Sequence, residues 1–123
     1  MTGKEYQKLA MRTNDGNNTR RLTKALCVCD MDIGGVLNAC LGLSGEVGEF
    51  NDMVKKWIFH EKQFDEEHAK KELGDVMWYV AMMCESFGWD LNEIMQMNVD
   101  KLKARYPEGF SVELANNRKE GDV

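Results

Sequence analysis

The strongest constraint on the fold is an apolar repeat of helical period that runs through residues 32–59. Apolar side chains recur there at intervals of three or four, with small or polar gaps at Ser44 and Asn51. The apolar positions are Ile33, Val36, Leu37, Cys40, Val47, Val54 and Ile58. Because the chain has a single proline, Pro107, such runs continue without interruption. The pattern predicts an all-α protein with one long helix over residues 32–59.

Three further helices are predicted, over residues 4–13, about 65–88 and about 90–106. Asp65 and Asp90 stand at suitable N-cap positions, where a side-chain oxygen accepts a bond from a free backbone N–H group. Gly88 is a plausible helix stop, and Pro107 disfavours a helical conformation at the residue before it. These segments together predict an all-α helical bundle of four to five helices.

The remaining segments are less regular. Residues 14–21 are predicted to form a polar loop, and residues 22–32 either extend the long helix or form a separate turn. Residues 111–123 are expected to be a polar C-terminal tail. A chain of 123 residues fits one domain of ordinary size, and we expect residues 1–110 to form that domain.

Composition and charge exclude several classes of protein. The net charge is −5 and no basic stripe stands out, so no nucleic-acid partner is expected. Residues 76–84 are too short a run to span a membrane, and no membrane association is expected. That run is apolar nearly all round, which is typical of a bundle centre or a subunit interface, so we expect a homo-oligomer. The N-terminus has no apolar signal-peptide core, and a cytoplasmic location follows.

The four cysteines are expected to be reduced in the cytoplasm. Cys40 and Cys84 fall on apolar helix faces and are expected to lie in the core. Cys27 and Cys29 with His60 offer a zinc site as an alternative, although no second pair of ligands at a metal-binding spacing accompanies them.

Two acidic pairs occur at helical spacing. Glu46 and Glu49 lie three residues apart in the long helix, and Glu72 and Asp75 repeat that spacing in the next one. If the two helices pack antiparallel, the pairs face each other. Four converging carboxylates repel one another unless cations lie among them, and Mg²⁺ prefers such oxygen ligands. The pattern predicts a site for one or two divalent cations; the alternative is that both pairs are solvated surface charges.

Glycines accompany both acidic pairs. Gly42, Gly45 and Gly48 recur in the long helix, although each costs ~1 kcal/mol relative to alanine in a helix interior. We interpret them as a bare ridge that lets a neighbouring helix or a ligand approach the backbone closely. Gly74 has the same interpretation on the opposite helix.

Three segments resemble the MazG-type nucleotide pyrophosphohydrolases of the all-α NTP pyrophosphatase superfamily. They are LGLSGEVGEF at residues 41–50, KKELGDVMWYV at residues 70–80 and NVDKLKARYPEGF at residues 98–110. The family pattern is ExxE, a spacer and ExxD, which fall here at Glu46 to Glu49 and at Glu72 to Asp75. The resemblance covers about residues 33–110.

The resemblance implies an enzyme that hydrolyses a ribo- or deoxyribonucleoside triphosphate to the monophosphate and pyrophosphate. Water would attack the α-phosphorus. The enzyme would serve to control the nucleotide pool or to remove unwanted nucleotides. The resemblance also implies Mg²⁺, for which Mn²⁺ can substitute, held by Glu46, Glu49, Glu72 and Asp75. Glu46 and Glu49 are the expected catalytic residues, and a homodimer or homotetramer is expected.

Six residues are candidates for binding the substrate. They are Lys56, Trp57, Tyr79, Asn98, Lys101 and Arg105. The cationic residues would contact phosphates, and the aromatic residues would line the pocket for the base. Asn98 sits in an apolar stripe and is expected to be buried with hydrogen-bond partners. The alternatives are that the cations are solvated or complement a helix dipole and that Trp57 belongs to a core or an interface.

Two other functions remain open at this point. Related helical bundles hydrolyse non-nucleotide or phosphoribosyl-type pyrophosphates, and a non-catalytic nucleotide-binding oligomer would use the methionine-rich surface. The complete set of four acids favours an enzyme over a silent relative. The N-terminal segment TRRLTKALCVCDMDIGG carries no motif that would indicate the preferred base.

Overall fold

The computed structural model describes residues 1–122, and within them it contains six α-helices, one 3₁₀ turn and no strand. The elements are α1 Gly3–Ala10, the 3₁₀ turn Met11–Thr13, α2 Asn18–Val28, α3 Ile33–Phe59, α4 Glu66–Phe87, α5 Leu91–Arg105 and α6 Val112–Asn116. The predicted all-α class is confirmed.

Side-chain caps determine where the long helices begin. The Asp32 carboxylate accepts a hydrogen bond from the backbone N–H of Gly35 at 2.9 Å, which starts α3. Asp65 and Asp90 cap α4 and α5 in the same way. Gly88 ends α4 in the left-handed conformation, with φ 72°, that a glycine adopts without strain. The predicted boundaries of these three helices agree with the structure because caps and stops act locally.

The N-terminal third is more helical than the sequence suggested, and the predicted loop at residues 14–21 was too long. Asn14 and Asp15 accept hydrogen bonds from the backbone two residues ahead, which confines the turn to residues 14–17. Asp15 also pairs with Arg21 inside α2. Residues 18–28 form a separate helix, and Cys29 is extended, so α2 does not continue into α3.

The C-terminal segment also contains a helix where a polar tail was expected. Ser111 caps α6 by accepting a hydrogen bond from the Leu114 N–H at 3.3 Å. Beyond it, Asp122 receives two hydrogen bonds from Arg105, at 2.6 and 2.7 Å. This ion pair holds the pKa of Asp122 below its usual range. The predicted domain end at residue 110 remains a prediction.

The centre of the fold is the packing of α3 against α4. Near the start of α3, the backbone N–H of Asp32 donates to the carbonyl of Ser86 near the end of α4, at 3.2 Å. Further along α3, Gly42 faces the ring of Tyr79, which lies earlier in α4. The two helices are therefore antiparallel, as the acidic pairs require. The apolar core beside this contact includes Ala39, Ala69 and Cys84.

Cys40 does not belong to this core. It was expected to be buried together with Cys84, but its side chain is exposed in the single chain. The reason is that α3 turns only one face toward α4, and Ala39 occupies that face while Cys40 points away from it.

Gly42 is needed for the close approach of the two helices. A β-carbon at this position would overlap the ring of Tyr79. Gly45, Gly48 and Gly74 have open space where a β-carbon would lie. The three glycines of the predicted ridge on α3 therefore serve two purposes. Gly42 admits the neighbouring helix, and Gly45 and Gly48 leave room beside the chain.

We predict that Gly42→Ala lowers the free energy of unfolding by about 1–3 kcal/mol, since the Tyr79 ring must shift. The matched control is Gly48→Ala, which gains helix propensity without a clash and is expected to stabilise by up to ~1 kcal/mol. Urea unfolding at one fixed protein concentration measures both. Equal stability of the two variants would contradict this role of Gly42.

Candidate functional site

Three carboxylates converge where α3 crosses the first half of α4. Glu46, Glu72 and Asp75 each offer an oxygen atom, and these oxygens lie within 4.8 Å of one another. Glu46 and Glu72 are half-buried, and Asp75 is exposed. Glu49, one turn further along α3, stands outside this group and lines the adjoining cavity. The geometry therefore brings the two predicted acidic pairs together, with three of the four at closest approach.

Glu72 is a half-buried acid of the group, with 13% of its side chain exposed. Its Oε1 atom lies 2.8 Å from Nε2 of His68. Its Oε2 atom is buried, and no donor among residues 1–122 reaches it. A buried carboxylate oxygen without a partner is costly, and a cation removes that cost. The donor set thus fits a hard divalent cation such as Mg²⁺.

The surroundings of Glu46 raise the pKa of its carboxyl group. The first cause is loss of water around the carboxylate, and the second is repulsion by Glu49. A hydrogen bond that protonated Glu46 can make to Glu72, together with repulsion by Asp75, acts in the same direction. Without a cation, Glu46 in this cluster therefore binds its proton more tightly than a free glutamate does.

A cavity of about 520 Å³ adjoins the acids, between the second half of α3, the loop of residues 60–65 and the start of α4. This volume is typical of sites for small ligands. Gly45 and Gly48 form part of its wall, so the space left by their missing side chains belongs to the cavity. At its other side the rings of Trp57 and Phe64 lie 5.0 Å apart.

Two of the six predicted substrate residues, Lys56 and Trp57, line this cavity. Tyr79 instead packs against Gly42 at the helix contact. The three candidates on α5 are not among the residues that line the cavity of this chain. They are Asn98, Lys101 and Arg105.

The expectation that Asn98 is buried was wrong, since its side chain is exposed. In the described residues α5 makes few contacts with α3 and α4, so its apolar stripe remains largely uncovered and Asn98 with it. Arg105 is engaged by Asp122 through both hydrogen bonds described above.

The cavity also contains residues that the sequence analysis did not name as candidates for the site. They are Asp52, Met53, Lys62, Gln63, Phe64, Asp65 and His68. Asp52 pairs with Lys56 at 2.6 Å, and His68 pairs with Glu72; both are four residues apart on a helix. That spacing was a usable signal. Phe64 and Lys62 lie in the connecting loop, whose path no local pattern indicated.

The zinc alternative finds no support in the geometry. Within residues 1–122, no group of three metal-capable side chains includes Cys27, Cys29 or His60. The carboxylates of α3 and α4 described above do form such a group.

Comparison with known proteins gives the same assignment as the acidic motifs. The model of the MazG nucleotide pyrophosphohydrolase domain matches residues 36–110. The chain belongs to this family. The match contains all four acids, and its span is close to the 33–110 over which the resemblance was found.

A relative from Mycobacterium phage L5, described as Gene 37 protein, is 37% identical over 95 residues, which cover 73% of this chain and 82% of the phage protein. No solved structure matches the chain. Among residues 1–122, no helix combines the length and the apolar character needed to span a membrane.

The raised pKa of Glu46 leads to a prediction about pH. In metal-free protein, the folded state binds the Glu46 proton more tightly than the unfolded state does. Stability is therefore lost as the pH rises from the ordinary pKa of a glutamate through the raised one. We expect Glu46→Gln to be more stable than the parent protein in EDTA at about pH 8, with the difference vanishing near pH 4.

Thermal unfolding at several pH values, with and without Mg²⁺, measures this effect. Mg²⁺ is expected to stabilise the parent protein and to reduce the advantage of the variant. A parent protein that matches Glu46→Gln at every pH in EDTA would show that the cluster carries no such cost.

Proposed function

We propose that this protein is a Mg²⁺-dependent hydrolase that converts ribo- or deoxyribonucleoside triphosphates to monophosphates and pyrophosphate, in nucleotide pool control in the cytoplasm. The observation that carries the proposal is the unpartnered, buried Oε2 of Glu72 within the carboxylate group, beside a cavity large enough for a nucleotide. Membership of the MazG family supports the reaction class.

Glu46, Glu49, Glu72 and Asp75 would hold the metal. When bound, Mg²⁺ supplies positive charge that neutralises both the acids and the triphosphate. Glu49 lines the cavity and Glu46 lies one turn before it on α3. Both would orient the attacking water and accept its proton.

The remaining cavity residues suit the two ends of a nucleotide. Lys56, which forms an ion pair with Asp52, would present its ammonium group to phosphates. Trp57 and Phe64 offer aromatic faces against which a base would stack. Four of the predicted substrate residues do not line the cavity of their own chain: Tyr79, Asn98, Lys101 and Arg105. For the three on α5 to contact the substrate, they would have to come from a second copy of the protein.

We predict that the parent protein releases pyrophosphate from a panel of canonical and modified nucleoside triphosphates with Mg²⁺, and that Glu49→Gln slows this release by at least about 100-fold. The reason is that glutamine neither accepts a proton nor neutralises a cation. The matched control is Glu66→Gln, which changes an exposed acid of α4 that is paired with Lys70. It should keep full activity.

The panel should also contain phosphoribosyl-type pyrophosphates. Turnover of these compounds alone would replace the proposed substrate class. Unchanged turnover in Glu49→Gln would remove Glu49 from the proposed machinery. A parent protein that binds nucleotides without releasing pyrophosphate would favour the non-catalytic alternative.

We also propose that the protein is a homodimer or homotetramer. A compact monomer of this length exposes about 6,700 Å², whereas this chain exposes 10297 Å². The excess is on the scale of a large obligate interface. Much of it is apolar and lies on α3 and α4, where Leu41 is 76% exposed and Leu73, Met77 and Trp78 are also exposed.

We predict that light scattering coupled to size exclusion gives a mass of two or four chains. Leu41→Glu should shift the protein to smaller species, because a charge would be buried in the interface. Gln7→Glu adds the same charge on α1 and is expected to leave the assembly intact. A monomeric parent protein at micromolar concentration would exclude the proposed assembly.

A further inference from the structure

The geometry points to His68 as a positioning residue that orients Glu72 for metal binding. This inference rests on the proposed function, because it assigns a second residue to the metal group described there. His68 lies outside the acidic motifs that carry the family resemblance.

The contact between the two side chains fixes which oxygen is left for a cation. Nε2 of His68 lies 2.8 Å from Oε1 of Glu72. An ionised carboxylate only accepts hydrogen bonds, so Nε2 carries the hydrogen and donates it. Oε1 is thereby occupied, and Oε2 remains buried and without a donor. The Glu72 side chain offers an oxygen within 4.8 Å of oxygens of Glu46 and Asp75. The histidine thus leaves Oε2 as the open oxygen of Glu72 for a cation held by this group.

His68 is itself held in place by the start of α4. Its backbone N–H donates to the Asp65 carboxylate at 3.0 Å, which fixes it in the first turn of the helix. Glu72 lies four residues later, on the same face of the helix. The His68 side chain is 55% exposed, so the imidazole reaches Glu72 from the surface of the helix. Among residues 1–122, the imidazole ring forms its hydrogen bond with Glu72.

A comparison within α4 shows that this pair differs from ordinary surface pairs. Lys70 and Glu66 have the same spacing and lie 3.0 Å apart, but both side chains are about three-quarters exposed. That pair orders no buried atom. The His68 pair instead acts on a half-buried acid of the metal group, whose side chain is only 13% exposed. Outer residues that orient a metal ligand typically change metal affinity by about 10- to 100-fold when removed.

The experiment measures Mn²⁺ and Mg²⁺ binding to the full-length, metal-free protein by titration calorimetry, without nucleotide. His68→Leu is expected to weaken binding by about 10- to 100-fold. His68→Gln retains a side-chain donor and is expected to restore most of the affinity, which a purely steric role would not explain. Lys70→Leu is the matched control on the same helix and should bind metal like the parent protein.

Glu72→Gln separates the failure of this inference from the failure of the proposed function. If the parent protein binds metal and Glu72→Gln does not, while His68→Leu binds like the parent, only the positioning role is overturned. If the parent and Glu72→Gln bind metal equally or not at all, the proposed metal group is overturned, and this inference with it.

A spectroscopic measurement separates positioning from direct ligation. Pulsed electron paramagnetic resonance of the Mn²⁺ complex detects a directly coordinated imidazole nitrogen. Its absence in the parent protein, together with the affinity loss in His68→Leu, is the expected result. A coordinated nitrogen that disappears in His68→Leu would make His68 a ligand and overturn the positioning role.

Discussion

The fold and the candidate site depend on the close packing of α3 against α4. The contact face of α3 consists of small residues at intervals of four and three, namely Gly35, Ala39 and Gly42, and Glu46 continues the same interval. Because small residues let the backbones approach, an acid that follows in register is brought against those of α4. Larger residues at these positions would hold the carboxylates further apart and remove the site.

This packing leaves the acids in an unfavourable environment. Glu46 loses water and is repelled by its neighbours, and Glu72 keeps one oxygen buried without a donor. Elsewhere in the molecule, acids such as Asp15 and Asp122 have cationic partners, and their pKa values are lowered. A local conflict of this kind is typical of functional sites, where the missing partner is a ligand.

Local signals explain which parts of this structure were predictable from the sequence. The caps Asp65 and Asp90 and the apolar period placed three helices, and the spacing of the acids predicted the carboxylate group. The cavity was not predictable in the same way, because its shape depends on the loop of residues 60–65. There the backbone N–H of Lys62 donates a hydrogen bond to the carbonyl of Lys56, and Glu61 adopts a positive φ of 51°. This loop conformation places Phe64 against Trp57, and no periodic pattern in the sequence indicates that contact.

The exposed apolar surface and the charge of the site both support the proposed assembly. Within one chain, the cavity offers Lys56 and Lys62 against several acids, and Lys56 is already paired with Asp52. The proposed triphosphate substrate would need more positive charge than this, and a bound cation would supply part of it. The cationic residues of α5 lie outside the cavity of their own chain. An association that covers the apolar faces of α3 and α4 and brings α5 of another copy to the cavity would meet both needs at once.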